Sequence, residues 1–280
     1  MSDTEEVPRT EERRSQPAPA ASPDPYGPVK RLARRAAKGL LILVAGYLGL
    51  VLMLILLYRI VNPPASTLMA WQWLTGVAIS HEWKDIDDIS PELVRAVIIA
   101  EDWSFCRHAG IDFEAIEQAI EKAGDGLPRG ASTISMQVVK NLFLNHSRSY
   151  IRKAIELPLT LAAELIWPKR RMLEIYLNIA EWGPGVFGAE AAARHHFGTS
   201  ARDLSGREAA LLASVLPSPL LRDAGNPGRL TSKKASVIQA RVRAASSAAN
   251  CVLPPARRPA ATAKPDSNDG WQPIVRDRAE

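Results

Sequence analysis

The sequence predicts a mainly α-helical domain that follows a single N-terminal transmembrane helix. Three observations predict it: one long uncharged apolar run, apolar residues at helical spacing from Ser90 to about residue 246, and the absence of long alternating runs. With 280 residues, 46% hydrophobic and 23% charged, the chain is neither wholly disordered nor collagen-like. A net charge of +5 points to an acidic partner: nucleic acid, an anionic membrane or a phosphorylated substrate. The two cysteines, Cys106 and Cys251, exclude a disulfide-rich scaffold and a cysteine-based zinc site.

Residues 1–28 hold six prolines and almost no large apolar side chain, so they read as disordered. Lys30, Arg31, Arg34, Arg35 and Lys38 then lead into 20 uncharged residues, Gly39 to Tyr58. As a helix these span about 30 Å, the thickness of a bilayer's hydrocarbon core. A cleaved signal peptide has a shorter apolar stretch, of about 7–15 residues, and begins nearer the N-terminus. The basic cluster precedes the span and only Arg59 follows it closely, so residues 1–38 read as a cytoplasmic tail and the rest as extracytoplasmic. That topology removes nucleic acid as a partner. Residues 59–89 form a connector with Trp71, Trp73 and Trp83, suited equally to the headgroup zone or to packing on the domain.

A helical domain is expected over 90–250. Ser90-Pro91 gives an N-cap and first helical residue, ahead of Leu93, Val94, Val97, Ile98 and Ile99. Ile134, Val138 and Leu142 mark a second helix, Ile151, Ile155, Leu159, Ala162 and Ile166 a third, and Met172, Ile175, Tyr176 and Ile179 a fourth. Ser205-Gly206-Arg207-Glu208 is a capping box. Residues 230–246 suit a last basic amphipathic helix, and 251–280 read as a disordered tail.

The chain has no P-loop and no G-x-S-x-G elbow. Gly183 to Gly188 fits G-x-G-x-x-G but follows a helical pattern, which a dinucleotide site does not. His195-His196 lacks a metal-ligand frame, and no metal ligands are assigned. Chemistry then falls to carboxylates and cations. Glu101-Asp102 closes a buried apolar helix, where a carboxyl is held rigidly and partly desolvated, as general acid–base work requires. On the next helix Thr133, Gln137, Lys140 and Asn141 share one face, with donors suited to phosphate oxygens. Arg148, Arg152, Lys153 and Glu156 follow; Arg152 and Glu156, four apart, also fit a plain surface ion pair, and Pro158 should kink their helix. A base beside clustered cations suits removing a hydroxyl proton while a phosphate leaves. A simple glycosidase has little use for so many cations.

The stretches EDWSFCRHAGID, GASTISMQVVKNLF, RKAIELPLTLAAELIW and MLEIYLNIAEWGPGVFGAEAAARHHFG occur in that order. Together they resemble the peptidoglycan glycosyltransferases, specifically their monofunctional, membrane-anchored members, over about residues 90–220. The resemblance implies a lysozyme-like fold and polymerisation of lipid II into β-1,4-linked glycan with release of undecaprenyl pyrophosphate. It implies Glu101 as the general base for the acceptor 4-hydroxyl and Glu156 as the second glutamate, which orients the pyrophosphate. That role leaves room for a divalent cation, magnesium or manganese; no other cofactor is expected. Ser132, Gln137, Lys140, Arg148 and Lys153 match sugar- and phosphate-holding positions, Asp102 matches the acid beside the base, and Asn141 and Arg152 lie among these substrate-binding candidates.

Two positions depart from the family's pattern: Met136 stands where glutamine is usual, and His196 where an aromatic is common. The implied partners are lipid II, the growing glycan strand, the bacterial inner membrane and other cell-wall or division proteins, with the catalytic domain in the periplasm. The chain is too short after the matching region for a transpeptidase domain, so crosslinking is not expected. A lytic glycan-cleaving enzyme and a noncatalytic anchored scaffold are the competing readings. Cys106 and Cys251 are expected as free thiols.

Overall fold

The computed structural model describes residues 27–124, 130–144 and 149–253. The proline-rich stretch before residue 27 and nearly all of the expected C-terminal tail lie outside them. Contacts divide the chain into two units, residues 1–49 and 50–280.

The first unit holds most of helix α1, Gly27–Tyr58. From Lys30 to Tyr58 this is the one described helix long and apolar enough to cross a membrane, by length and composition. It begins well before Gly39. The basic flank, read as part of a disordered tail, forms helical turns, because Leu, Ala, Arg and Lys all favour helix.

The second unit carries α2 (Thr67–Leu74), β1 (Ser80–His81), α3 (Pro91–Glu101), α4 (Phe113–Ala123), α5 (Ile134–Phe143), α6 (Tyr150–Ile166) and α7 (Lys169–Ile179). Strands β2 (Glu181–Gly183) and β3 (Val186–Phe187) follow, then α8 (Ala189–Phe197), α9 (Gly206–Val215) and α10 (Arg229–Ala244). Helix α3 packs on α9 and α10, and α5 packs on α6 and α7. Leu93, Val97, Ile98, Ile134, Val138, Met172, Ile175 and Leu212 are among the buried side chains between them. The helix starts follow local chemistry. Ser90 Oγ accepts from Glu92 N, with Pro91 behind it. Ser205 and Glu208 exchange reciprocal bonds as a capping box.

Sequence reading missed the small sheet, ordered β1-β3-β2, with β1 parallel and β2 antiparallel to β3. Strands of two or three residues are too short to show a period, and they exist through pairing with distant partners. The Gly183–Gly188 run lies across this hairpin. Gly185 has φ +71°, and a Cβ there would sit 2.2 Å from the Ala78 carbonyl oxygen, so only glycine fits.

Two expected boundaries also move. The domain begins before residue 90: Met69 and Ile86 join its core, and β1 pairs into its sheet. Further back, Trp167 donates to the Ile55 carbonyl at 2.6 Å, and Arg171 binds the carbonyls of Tyr58 and Val61. The C-terminal limit shifts because Cys251 is joined to Cys106, with Cα atoms 5.6 Å apart, and Val252 is buried. The free-thiol expectation is therefore corrected. Residues 145 apart in sequence give no spacing signal, and only the packing of the segment after α10 beside the turn after α3 brings them together. By chain entropy, closing a loop of that length stabilises the fold by about 4–5 kcal/mol.

Candidate active site

Glu101 is the last residue of α3, placed there because Asp102 ends the helix. Asp102 is buried. Its Oδ2 accepts from Ile134 N at 3.0 Å, so the acid that closes α3 also receives a donor from the first turn of α5. Both Asp102 oxygens lie within about 3 Å of His108 Nε2 (2.9 and 3.0 Å). Gly110 N donates to His108 Nδ1 at 3.1 Å, which leaves the Nε2 proton for Asp102. Thr133, the N-cap of α5, donates to the Gly110 carbonyl at 2.6 Å. Gly110 has φ +88°, and a Cβ would meet Glu164 Cγ at 2.6 Å. The His-Ala-Gly turn thus fixes the junction of α3 and α5, and with it the distance from Glu101 to the side chains of α5.

Gln137 Nε2 donates to Glu101 Oε2 at 2.9 Å. The amide's other end, Oε1, accepts from the buried Tyr176 hydroxyl at 3.4 Å. Burial raises the Glu101 pKa, and Asp102 adds to the rise; the Gln137 bond and the charges of Lys140 and Lys234 act against it. The outcome is a carboxylate more basic than usual, beside a cavity of about 130 Å³ lined also by Trp103, Ala131, Ser132 and Thr133.

Lys140 lies one turn along α5 from Gln137. Desolvation lowers its pKa, while the charges of Glu156 and Glu101 both raise it, so it sits in the field of both glutamates. Glu156 is only 2% exposed. Its Oε1 accepts from Lys153 Nζ at 2.7 Å and its Oε2 from Arg152. Lys153 also reaches Ser132 Oγ at 3.4 Å. Arg152 and Glu156 are therefore not a surface pair, as helical spacing alone allowed: the carboxylate is enclosed, and two cations neutralise it.

Glu101, Asp102, Ser132, Gln137, Lys140, Arg152, Lys153 and Glu156 are thus linked through direct bonds, shared cavity walls or mutual charge. Arg148 lies outside the described residues. Asn141 is buried, and its carbonyl receives the Thr67 hydroxyl at 2.9 Å. Thr133 serves as a cap. Sequence reasoning missed His108, Tyr176 and Lys234. Tyr176 reads as one more apolar position, and His108 as a lone histidine in a turn. Lys234 comes from α10, nearly 100 residues beyond α5.

The sequence profile of the family described as transglycosylase matches residues 70–242, more than half of the chain. A "biosynthetic peptidoglycan transglycosylase" of Rhizobium meliloti strain 1021 is 55% identical over 179 residues, 64% of this chain and 76% of that protein. A protein of the same name from Agrobacterium fabrum is 50% identical, over 68% of this chain and 84% of that one. Another, from Rhodopseudomonas palustris strain TIE-1, is 48% identical over 79% and 94%. With a partly buried, basic carboxylate in the field of Lys140, and with likeness of this extent, the chain belongs to the transglycosylase family and is a glycosyltransferase of peptidoglycan synthesis.

Proposed function

We propose that this chain polymerises lipid II by inverting glycosyl transfer, with Glu101 as the general base. The acceptor's 4-hydroxyl gives its proton to the Glu101 carboxylate while its oxygen bonds to the anomeric carbon of the growing strand. The bond from that carbon to phosphate breaks on the opposite face, and its electron pair leaves on undecaprenyl pyrophosphate. The product is a β-1,4 link. One observation carries this reading: a desolvated glutamate, oriented by Gln137, lies in the field of Lys140, and Lys140 in turn lies near Lys153 and Arg152, so cations beside the base can take up the leaving group's charge.

In this reading Glu156 holds the cations in place. The residues around it do not suit a divalent ion, because Arg152 and Lys153 already engage both of its oxygens. Asp102, His108 and Asp112 also lie close together, but each is committed to a bond within the fold. No step here passes through a metal. The same occupancy disfavours a lytic hydrolase, which needs a second carboxylate free to act on the sugar.

The setting we propose is the inner membrane, with the N-terminus cytoplasmic and the domain in the periplasm. Five basic residues precede the span, and the Cys106–Cys251 bond suits an oxidising compartment. Exposed Trp71, Trp73 and Leu74 on α2 suit the headgroup zone. The test is the full chain in detergent with labelled lipid II, beside Glu101→Gln. Polymer from the wild type alone is expected. No polymer from either would turn the reading to a noncatalytic scaffold.

A further inference from the structure

Glu164 and Lys169 form an enclosed ion pair outside the network that joins Glu101 to Glu156. Glu164 lies in the last turn of α6 and Lys169 opens α7, and their side chains are only 8% and 17% exposed. Lys169 Nζ donates to Glu164 Oε1 at 2.8 Å. The same oxygen accepts from the hydroxyl of Ser135, a buried residue in the first turn of α5. Neither member of the pair lines the cavity beside Glu101. A buried ion pair adds little stability over apolar side chains of similar volume, so geometry is the better reason for its presence.

The pair meets the turn after α3 at two places. The Lys169 ammonium stands 4.4 Å from the centroid of the Phe105 ring, which is fully buried. Phe105 N donates to the Asp102 carbonyl at 3.0 Å. Its ring meets that of His108 edge to face, with centroids 6.3 Å apart. At the second place the stem of Glu164 lies against Gly110, where a Cβ would come within 2.6 Å of Glu164 Cγ. Phe105 and Gly110 bracket His108 in sequence, and His108 Nε2 serves both oxygens of Asp102. Ser135 adds a link to α5, next to Ile134, whose N–H goes to Asp102.

Resting on the functional reading above, we propose that Glu164 and Lys169 are positioning residues for the base. They hold Phe105 and Gly110, and through them the His108–Asp102 contact and the place of Glu101 beside Gln137. Segments of α5, α6 and α7 converge on the turn through these two side chains. Apolar side chains would fill the same space but leave the turn free to slide, whereas charge-assisted hydrogen bonds fix direction as well as distance. Without the pair the turn shifts and water reaches Glu101, whose raised pKa owes most to burial and then gains from Asp102.

The experiment uses the full chain in detergent micelles, with Lys169→Met and Glu164→Gln combined. Both change together, because removing the lysine alone strands a buried carboxylate. Polymerisation of labelled lipid II should show kcat lower by about tenfold or more, with KM little changed. The acid limb of kcat/KM should move down toward the usual carboxylate range, while the melting temperature stays close to that of the wild type. Lys169→Arg, which keeps the cation, should recover most of the rate. A second readout needs no reaction: histidine is isotopically labelled, and His108→Gln identifies the His108 signals by NMR among those of five histidines. In the double variant the His108 signals should shift and the others stay. Unmoved His108 signals, or a wild-type acid limb, would overturn the positioning role. A general loss of fold, with every histidine signal moved, would make the pair structural and overturn it too. If the His108 signals shift but the wild type makes no polymer from lipid II, the positioning network stands and the functional reading fails.

Discussion

Two glutamates serve this site, Glu101 partly buried and Glu156 enclosed, and they differ most in what faces them. Glu101 sits at the C-terminal end of α3, where the helix dipole disfavours negative charge, and its hydrogen-bond partner among the described residues is a neutral amide. Glu156 lies inside α6 with an arginine on one oxygen and a lysine on the other. The first arrangement leaves a carboxylate desolvated and avid for a proton. The second ties a carboxylate to two cations, with both of its oxygens engaged. In the mechanism proposed above, the same side chain serves as a base in one place and an anchor in the other, through its surroundings.

Five measurements can break or sharpen that contrast. Glu101→Gln should lower polymerisation at least about 100-fold. It should leave the melting temperature unchanged or higher. The folded pKa of Glu101 lies above its unfolded value, so the fold is favoured while the group is protonated and loses that advantage as pH rises through the folded value. Gln is neutral throughout, and a clear drop in melting temperature would contradict the desolvated-base picture. Lys140→Ala should cost about 10–100-fold in turnover, since it removes one donor from the developing leaving-group charge; unchanged turnover would move the pyrophosphate elsewhere.

Glu156→Gln should behave the other way from Glu101→Gln. It leaves Arg152 and Lys153 facing each other, and the fold should weaken by about 1–3 kcal/mol, because both cations keep some solvent. Urea denaturation compares the two variants directly, and equal stability would erase the distinction. The smallest effect lies in the pH profile of kcat/KM. Its acid limb should fall above the usual carboxylate range and its alkaline limb below the usual lysine range, because burial raises Glu101 and lowers Lys140. Glu156→Gln should move the alkaline limb down further, since Glu156 helps keep Lys140 charged.

Local pattern carried much of this into the sequence. Ser90-Pro91 and the Ser205–Glu208 box mark true helix starts because caps act within three or four residues. Gln137 and Lys140 were visible through helical spacing. The rest depends on contacts between remote segments. His108 gains meaning only when Asp102 and Gly110 are seen on either side of it, and Tyr176 only when its hydroxyl meets Gln137. The polar face expected on α5 is also partly covered, with Thr133 and Asn141 buried, because α2 and the turn before α4 close over it. A spacing rule sees one helix, and burial is decided by its neighbours.

The Cys106–Cys251 bond has a consequence in time. Cys106 lies just past Glu101 and Asp102, whereas Cys251 comes 145 residues later. In the proposed topology, a chain emerging from its N-terminal anchor exposes Cys106 early and Cys251 only near the end. A chain halted partway across the membrane has its two thiols in different compartments and cannot close the bond. With the topology proposed above, the crosslink therefore records that export has been completed, and until it forms Cys106 remains open to attack by any other thiol or oxidant outside the cell membrane.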